Sequence, residues 1–244
     1  MGKGGVVVGS REAAFDRVEA AWRELNRVPA SWQHAYSEAS TECTRLAQSG
    51  RWLRGEADLL SIVGRQHQEA VHSAAIAWLL DPAGSHGLGA GFLERFLTAI
   101  GLHDIAATIA SDSSGPPEAL VTSEVNLVHD DAAGRIDIRV DVLGNVIIIE
   151  NKVNAAEHGN QLHRYRTLAD THPDLIDTKR TTLVLLALAP RERILAEARR
   201  EGFVAVTYRD GVRIPLAGTL SLGGDGPGRQ AAFEYLKTIE RMTT

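Results

Sequence analysis

The segments Arg135-Ile-Asp-Ile-Arg-Val-Asp-Val142 and Val146-Ile-Ile-Ile-Glu-Asn-Lys-Val153 decide how this chain of 244 residues is expected to fold. The first segment alternates charged and branched apolar residues, which is typical of a β-strand with two unlike faces. The second segment has four consecutive apolar residues before its first charge. Because turn-forming residues at 143–145 separate the two segments, we predict antiparallel strands joined by a tight turn.

A sheet with flanking helices is predicted around these strands. Residues 124–129 form a third strand of the same meander, and the apolar run 183–188, within a strand at 181–189, indicates burial on both faces. The other predicted elements are helices at 10–28, about 32–46, 66–80, 92–100, 155–169, 191–200 and 229–241, and a strand at 203–208. This order predicts a mixed α/β fold in which helices surround a central mixed sheet.

Composition places the chain among globular proteins. The hydrophobic fraction is 44%, and no stretch approaches the roughly 18 consecutive apolar residues of a membrane helix, so we expect a soluble protein without membrane contact. Cys43 is the only cysteine, which excludes an intrachain disulfide and favours a cytoplasmic protein. The predicted organisation is a flexible lead at 1–9, an N-terminal helical extension at 10–60, and a core at 61–244 that forms one compact unit with the extension.

The distribution of charge matters more than its total. A net charge of −5 argues at first against a nucleic-acid ligand. However, residues 124–150 carry six acidic and two basic side chains, whereas residues 151–244 carry eleven acidic and fourteen basic ones. A divalent cation bound in the acidic region would offset much of its charge. The charge is therefore compatible with a nucleic-acid partner.

The charged residues at the end of the apolar strand are candidates for chemistry. Glu150 and Lys152 share a face, and burying them is costly unless they pair with each other or with a ligand. Asp137, on the neighbouring strand, can converge with Glu150 on a hard cation such as Mg²⁺. The backbone carbonyl of Asn151 could be a further ligand, and Lys152 would orient or help to deprotonate an attacking water. Asp141 shares the face of Asp137 and is the second choice of ligand.

This pattern resembles the signature of the PD-(D/E)XK nuclease superfamily. In that signature one strand carries an acidic residue and the next strand carries (Asp/Glu)-x-Lys. Here Asp137 provides the first and Glu150-Asn-Lys152 the second, while Ile136 stands where the literal signature has proline. The departure affects the chemistry little, because the chemistry uses the carboxylate and not the proline.

Two further matches narrow the resemblance. Gln161-Leu-His-Arg-Tyr165 resembles the Gln-x-x-x-Tyr motif of the helicase-linked exonuclease branch, and its two ends lie on one helical face. The helix and loop at 69–89 and the Glu-Asn-Lys-Val-Asn-Ala segment at 150–155 resemble one bacterial branch of the superfamily. A glutamate on the first core helix of the superfamily often assists metal binding. Glu69 is therefore a candidate ligand, with a surface charge or a cap of the loop as its alternative role.

The resemblance implies a restriction-endonuclease-like core. It also implies a nuclease that uses Mg²⁺, or Mn²⁺ as a substitute, to hydrolyse DNA phosphodiester bonds in phage defence or DNA processing. The implied site residues are Asp137, Glu150, Lys152 and Gln161 for catalysis, Asp137, Glu150, the Asn151 carbonyl and Glu69 for the metal, and Tyr165, His72 and Arg135 for substrate contact or support. His72 has an alternative role, which is to hold the helix and loop together through hydrogen bonds.

The sequence leaves other functions open. The chain could be a nuclease-fold module with little or no turnover that binds nucleic acid or a partner protein. It could also be a structural domain in which Glu150 and Lys152 form a simple ion pair. DNA versus RNA, endonuclease versus exonuclease action, and the role of residues 10–60 in a homodimer or over the substrate cleft are undecided.

Overall fold

The computed structural model describes residues 30–48, 58–112, 115, 117–129, 132–154, 161–172, 175, 180–188 and 192–243. The chain divides into two compact units, Met1–Glu56 and Ala57–Thr244. The first unit is described through one helix, α1 (Ala30–Gln48), where the sequence predicts a helix at about 32–46. The predicted lead at 1–9 and helix at 10–28 lie outside the described residues.

A five-stranded sheet forms the centre of the second unit. Its strands are β1 (Ala119–His129), β2 (Ala132–Val142), β3 (Asn145–Lys152), β4 (Arg180–Ala187) and β5 (Val204–Thr207). They are arranged in sequence order; β1, β2 and β3 pair antiparallel, and β3, β4 and β5 pair parallel. The predicted mixed sheet with its antiparallel meander is thus confirmed, and it is consistent with a restriction-endonuclease-like fold.

Helices cover both faces of this sheet. They are α2 (Leu59–Ile62), α3 (Glu69–Leu80), α4 (Gly91–Ala99), α5 (His103–Ser111), α6 (Gln161–Thr171), α7 (Glu192–Arg200), α8 (Ile214–Leu220, after a π-helical turn at Arg209–Arg213) and α9 (Pro227–Met242). One apolar cluster joins a face of the sheet to α3, α4, α5, α8 and α9, and a second joins the opposite face to α6 and α7. Along β3, Ile147 and Ile149 belong to the first cluster, and Val146 and Ile148 to the second.

Several predicted boundaries are corrected by the structure. β1 begins at Ala119, five residues before the predicted start, and α3 begins at Glu69 instead of residue 66. α9 begins at Pro227, because proline is well accommodated in a first helical turn. The predicted start of α6 at residue 155 lies outside the described residues. In the ranges described, no helix has both the length and the apolar character needed to cross a membrane.

The alternation along β2 is interrupted at Asp137. The sequence predicts Ile136 and Ile138 on the same face, but Ile138 belongs to the first cluster and Ile136 to the second. The prediction for Ile136 is therefore wrong. The physical reason lies opposite Asp137 on β1, where Glu124 has a left-handed backbone (φ 55°) and the pairing of 124 with 137 is missing.

The loop between α3 and α4 lies against the start of α9. Inside the loop, His86 Nε2 is 2.8 Å from the Asp81 carbonyl oxygen, and the Leu88 N–H donates to His86 Nδ1 at 2.9 Å. A Cβ atom added to Gly228 of α9 would lie only 1.9 Å from the Ser85 carbonyl oxygen. The close approach of these two backbones therefore requires glycine at 228.

We expect the substitution Gly228→Ala to lower the free energy of unfolding by roughly 1–3 kcal/mol or more, because the new methyl group overlaps backbone atoms that cannot rotate away. Chemical denaturation followed by circular dichroism would measure the loss. Gly218→Ala in α8 is the matched control, since a Cβ there first meets the flexible Arg95 guanidinium, at 3.2 Å. Equal effects of the two substitutions would contradict the packing of this loop on α9.

Candidate active site

The hydrogen-bonded ladder between β2 and β3 ends just before the charged residues. Its last pair is Ile138 with Ile149. Beyond this pair, the backbone N–H of Asn151 donates a hydrogen bond to the carboxylate of Asp137, with 2.8 Å between the nitrogen and Oδ2. The Asp137 carboxylate thus accepts a hydrogen bond from a backbone N–H group, which in a regular ladder would be accepted by a backbone carbonyl of the neighbouring strand. This bond fixes Asp137 beside the strand end that carries Glu150.

Glu150 is a buried carboxylate next to one ammonium group. Its side chain is 1% exposed, and Oε1 lies 2.7 Å from Nζ of Lys152, which is 17% exposed. Apart from this ion pair, neither oxygen of Glu150 has a hydrogen-bond partner among the described residues. Buried polar atoms in folded proteins nearly always have hydrogen-bond partners. Glu150 therefore retains coordination capacity that Lys152 does not use.

Burial changes the protonation of both acidic residues. Loss of solvent, followed by the negative charge of Asp137, raises the pKa of Glu150 to about 7, and Lys152 only partly opposes this shift. Burial also raises the pKa of Asp137, while the Asn151 N–H and Lys152 act in the opposite direction. A cation between these carboxylates would favour their ionised forms.

A chain of hydrogen bonds links the site to α6. Lys152 Nζ donates to Gln161 Oε1 at 3.1 Å, and Gln161 Nε2 donates to the Tyr165 hydroxyl at 3.0 Å. The Tyr165 hydroxyl donates in turn to the backbone carbonyl of Arg135. A Cβ atom on Gly134 would lie 2.7 Å from the Tyr165 ring, so the glycine allows α6 to approach β2 closely. The structure therefore brings Lys152, Gln161 and Tyr165 together, as the motif spacing suggests.

Glu69, on α3, contacts the residues that follow β3. Its Oε1 accepts hydrogen bonds from the backbone N–H groups of Val153 and Asn154, at 3.1 and 3.0 Å. Its negative charge also contributes to the raised pKa of Asp137. These contacts place Glu69 near the end of β3 and within electrostatic reach of Asp137, and its role as a metal ligand stays a prediction.

His72 and Arg135 have different surroundings. His72 is fully buried, with Nδ1 2.9 Å from the Tyr235 hydroxyl and Nε2 2.9 Å from the Gln66 carbonyl oxygen. Burial lowers the pKa of His72, so it is neutral near pH 7. Arg135 is exposed and lies 3.6 Å from Glu124. Arg135 can therefore meet a ligand from solvent, whereas His72 cannot do so in this conformation.

Asp141, the second choice of metal ligand, lies away from the other candidates. It pairs with Val146 near the beginning of β3, whereas Glu150 is near its end. Both carboxylate oxygens of Asp141 accept hydrogen bonds from Arg139, at 2.6 and 3.0 Å. This arrangement favours Asp137 over Asp141.

Two residues without a role in the sequence analysis also contact this region. The Asn151 side-chain nitrogen donates to Ser73 Oγ at 3.0 Å, and the Tyr208 hydroxyl donates to Asn151 Oδ1 at 2.5 Å. Ser73 falls inside the helix segment that resembles the bacterial branch, which is a weak signal. Tyr208 ends an apolar strand pattern and therefore suggests only a core residue.

The donor set fits a hard divalent cation. Asp137 and Glu150 provide carboxylate oxygens, and Asn151 provides a nearby backbone carbonyl. The two oxygens of Glu150 are buried and, apart from the ion pair with Lys152, have no hydrogen-bond partner among the described residues. Within the ranges that the structure describes, no group of three or more His, Cys, Asp and Glu side chains is arranged to hold a metal ion. The remaining ligands would therefore be the carbonyl, water or substrate oxygens, as is common for Mg²⁺.

Comparison with known proteins identifies the family. The model of the PD-(D/E)XK nuclease superfamily matches residues 57–215, well over half of the chain. Among solved structures, the chain is similar to protein VC1899 from Vibrio cholerae, with 16% sequence identity and a TM-score of 0.32. The similarity covers 60% of this chain and 34% of the VC1899 chain, so this chain spans about a third of the length of VC1899. Curated proteins gave no match. On the strength of the family match, the chain belongs to the PD-(D/E)XK nuclease superfamily.

Proposed function

We propose that this protein is a Mg²⁺-dependent nuclease that hydrolyses DNA phosphodiester bonds, acting in the cytoplasm in bacterial phage defence or DNA processing. One observation carries the proposal: the Glu150 carboxylate is 1% exposed, and apart from the ion pair between Oε1 and Lys152 neither of its oxygens has a hydrogen-bond partner among the described residues. The match to a nuclease superfamily supports a nucleic-acid substrate. DNA is the substrate that the resemblance of the segments at 69–89 and 150–155 implies.

The proposed metal ligands are Asp137, Glu150 and the Asn151 carbonyl, with Glu69 as a further candidate. When bound, Mg²⁺ or its substitute Mn²⁺ would supply Lewis-acid activation of the phosphate and of water. The protein contributes the negative charge that attracts the cation. It also fixes Asp137 through the Asn151 N–H, so that less reorganisation is needed on binding.

Lys152 has one hydrogen-bond donor left for the reaction. A protonated lysine carries three N–H donors. One reaches Gln161 Oε1 at 3.1 Å, and another is directed to Glu150 at an N–O distance of 2.7 Å. The third can hold the attacking water or a non-bridging phosphate oxygen, where negative charge grows in the transition state. In the reaction, the water oxygen bonds to phosphorus and gives up a proton to solvent, the bond to the leaving sugar oxygen breaks, and that oxygen takes up a proton from solvent.

Gln161 and Tyr165 orient Lys152. Burial and the charge of Glu150 raise the pKa of Tyr165, so its hydroxyl stays protonated and donates to the Arg135 carbonyl. The same hydroxyl oxygen accepts from the Gln161 amide nitrogen, which turns the amide oxygen of Gln161 towards Lys152. The hydrogen-bond polarity along this chain therefore directs an N–H group of Lys152 towards the Gln161 amide oxygen.

The purified protein should cleave linear, circular or single-stranded DNA when Mg²⁺ is present and should not cleave when a chelator is added. We expect Mn²⁺ to replace Mg²⁺. Gel electrophoresis of each DNA form, with RNA assayed in parallel, would measure cleavage and distinguish endonuclease from exonuclease action. Cleavage that persists in chelator, or cleavage of RNA alone, would contradict the proposal.

A nuclease-fold module without turnover is the second candidate. The 2.7 Å ion pair between Glu150 and Lys152 is compatible with such a module and with a purely structural domain, because an ion pair can account for a buried carboxylate beside a half-buried ammonium group. Such a module should show no Mg²⁺ or Mn²⁺ binding that depends on Glu150. Titration calorimetry of the intact protein and of Glu150→Gln would distinguish the two functions.

A further inference from the structure

The side chain of Asn151 lies on the opposite side of the sheet from the catalytic candidates. Side chains alternate along a strand, so Glu150 and Lys152 face α6, whereas Asn151 faces α3. Asn151 is fully buried. Its amide nitrogen donates to Ser73 Oγ at 3.0 Å and to the Glu69 carbonyl oxygen at 3.2 Å, and its amide oxygen accepts from the Tyr208 hydroxyl at 2.5 Å. Both N–H donors of the Asn151 side chain and one of the two lone pairs of its amide oxygen therefore take part in hydrogen bonds.

This buried side chain is connected to the site through its own backbone. The Asn151 N–H donates to Asp137 Oδ2, and the residues on either side are Glu150 and Lys152. A rotation of the Asn151 peptide would therefore break the Asp137 hydrogen bond and turn both neighbouring side chains. Whatever holds the Asn151 side chain also fixes the relative orientation of the three charged groups.

We infer that Tyr208 is a positioning residue for the metal site and acts through Asn151. Its hydroxyl donates to the Asn151 side chain, which faces α3, and in the part of the chain that the structure describes it has no hydrogen bond to Asp137, Glu150 or Lys152. Burial raises the pKa of Tyr208 well above its usual value, which keeps the hydroxyl protonated and able to donate. The inference rests on the proposed function in taking Asp137 and Glu150 as the cation ligands.

The alternative is that Tyr208 only fills the core, and Tyr235 provides a control for it. Both tyrosines are buried in the first apolar cluster, and both rings contact His72, at centroid distances of 5.8 and 5.7 Å. The Tyr235 hydroxyl, however, bonds to His72 Nδ1 and not to Asn151. Removing either hydroxyl therefore disturbs the same core, but only one removal affects Asn151.

The test compares Tyr208→Phe with Tyr235→Phe in the full chain. Mn²⁺ affinity is measured by titration calorimetry, and exchange of the backbone N–H hydrogen of Asn151 with solvent is measured by NMR. We expect Tyr208→Phe to weaken Mn²⁺ binding by about 10- to 100-fold, the usual range for residues that orient metal ligands. We also expect it to accelerate exchange at Asn151, whereas Tyr235→Phe leaves both quantities within about twofold of the unmodified protein. Ser73→Ala, which removes another partner of the Asn151 amide, should shift both quantities in the same direction as Tyr208→Phe.

The outcomes separate this inference from the proposed function. If the two tyrosine variants change Mn²⁺ affinity equally, or if neither changes it, Tyr208 is a core residue and the inference is wrong. If the unmodified protein binds no Mn²⁺, the proposed function fails, and amide exchange alone decides whether Tyr208 holds Asn151. Unchanged exchange at Asn151 in Tyr208→Phe would then overturn the inference.

Discussion

Replacing Lys152 by alanine is expected to reduce Mg²⁺-dependent DNA cleavage by roughly 100- to 10,000-fold, the range typical of a positioned proton-transfer or hydrogen-bonding group. Lys152 is the ammonium group 2.7 Å from Glu150 and 3.1 Å from Gln161. The substitution removes the donor that would hold the attacking water or a phosphate oxygen. Single-turnover cleavage at saturating enzyme would measure the loss in the chemical step separately from DNA binding.

Lys237→Ala is the matched control for this substitution. Lys237 is another of the four lysines in the chain, and it pairs with Glu234 at 3.3 Å on α9. Its removal should leave cleavage unchanged. Circular dichroism would verify that both variants are folded, because Lys152→Ala leaves the Glu150 carboxylate without its neighbouring cation. Normal cleavage by a folded Lys152→Ala protein would exclude the proposed role of Lys152.

The strands that carry these residues could be predicted because their patterns are local. The alternation from Arg135 to Val142 and the apolar run at 183–188 predict β2 and β4 without knowledge of the rest of the chain. The antiparallel pairing of β2 and β3 followed from the short turn between them. The face of Ile136 could not be predicted, since it depends on the left-handed backbone of Glu124 in another strand.

The sequence does not predict the helices α5 and α8, because their signals are weak. The residue before α5 is Leu102, which provides no side-chain cap, so no typical start signal marks His103–Ser111. In α8, Pro215 and Gly218 lower the apparent helix propensity. Pro215 stands in the first turn, where proline is tolerated, and Leu216 packs into the first cluster.

Some residues of the candidate site can be predicted from their local sequence, whereas others depend on contacts between segments that are distant in the sequence. Glu150 and Lys152 attract attention in the sequence because charges at the end of an apolar strand need a partner or ligand. Tyr208 follows Asn151 by 57 positions, and only the packing of β5 beside β4 brings its hydroxyl near the amide. The hydrogen bond from Asn151 to Asp137 also requires the β2–β3 ladder to end where it does.

Replacing Glu150 by glutamine is expected to remove most of the loss of stability that the unmodified protein shows as the pH rises. The same substitution is expected to abolish stabilisation by Mg²⁺. Burial and the Asp137 charge raise the pKa of Glu150 from 4.5 to about 7. Between these pH values the folded protein binds more protons than the unfolded chain, so its stability falls as the pH rises from about 4.5 to about 7 and changes little above that. A shift of this size corresponds to about 3 kcal/mol.

Denaturation at pH 5 and pH 8, each with and without Mg²⁺, would measure this effect. The unmodified protein should lose stability from pH 5 to pH 8 relative to Glu150→Gln; the comparison removes the contribution of titrating groups that the two proteins share. At pH 8, Mg²⁺ should stabilise the unmodified protein, because it binds the carboxylates of the folded state. At a Mg²⁺ concentration 100 times the dissociation constant, the free energy of unfolding should increase by about 2.7 kcal/mol. The glutamine variant should not respond, since an uncharged amide cannot replace the carboxylate as a ligand for a hard cation. An equal response of both proteins to Mg²⁺ would place the cation elsewhere, and equal pH dependence would mean that Glu150 titrates normally.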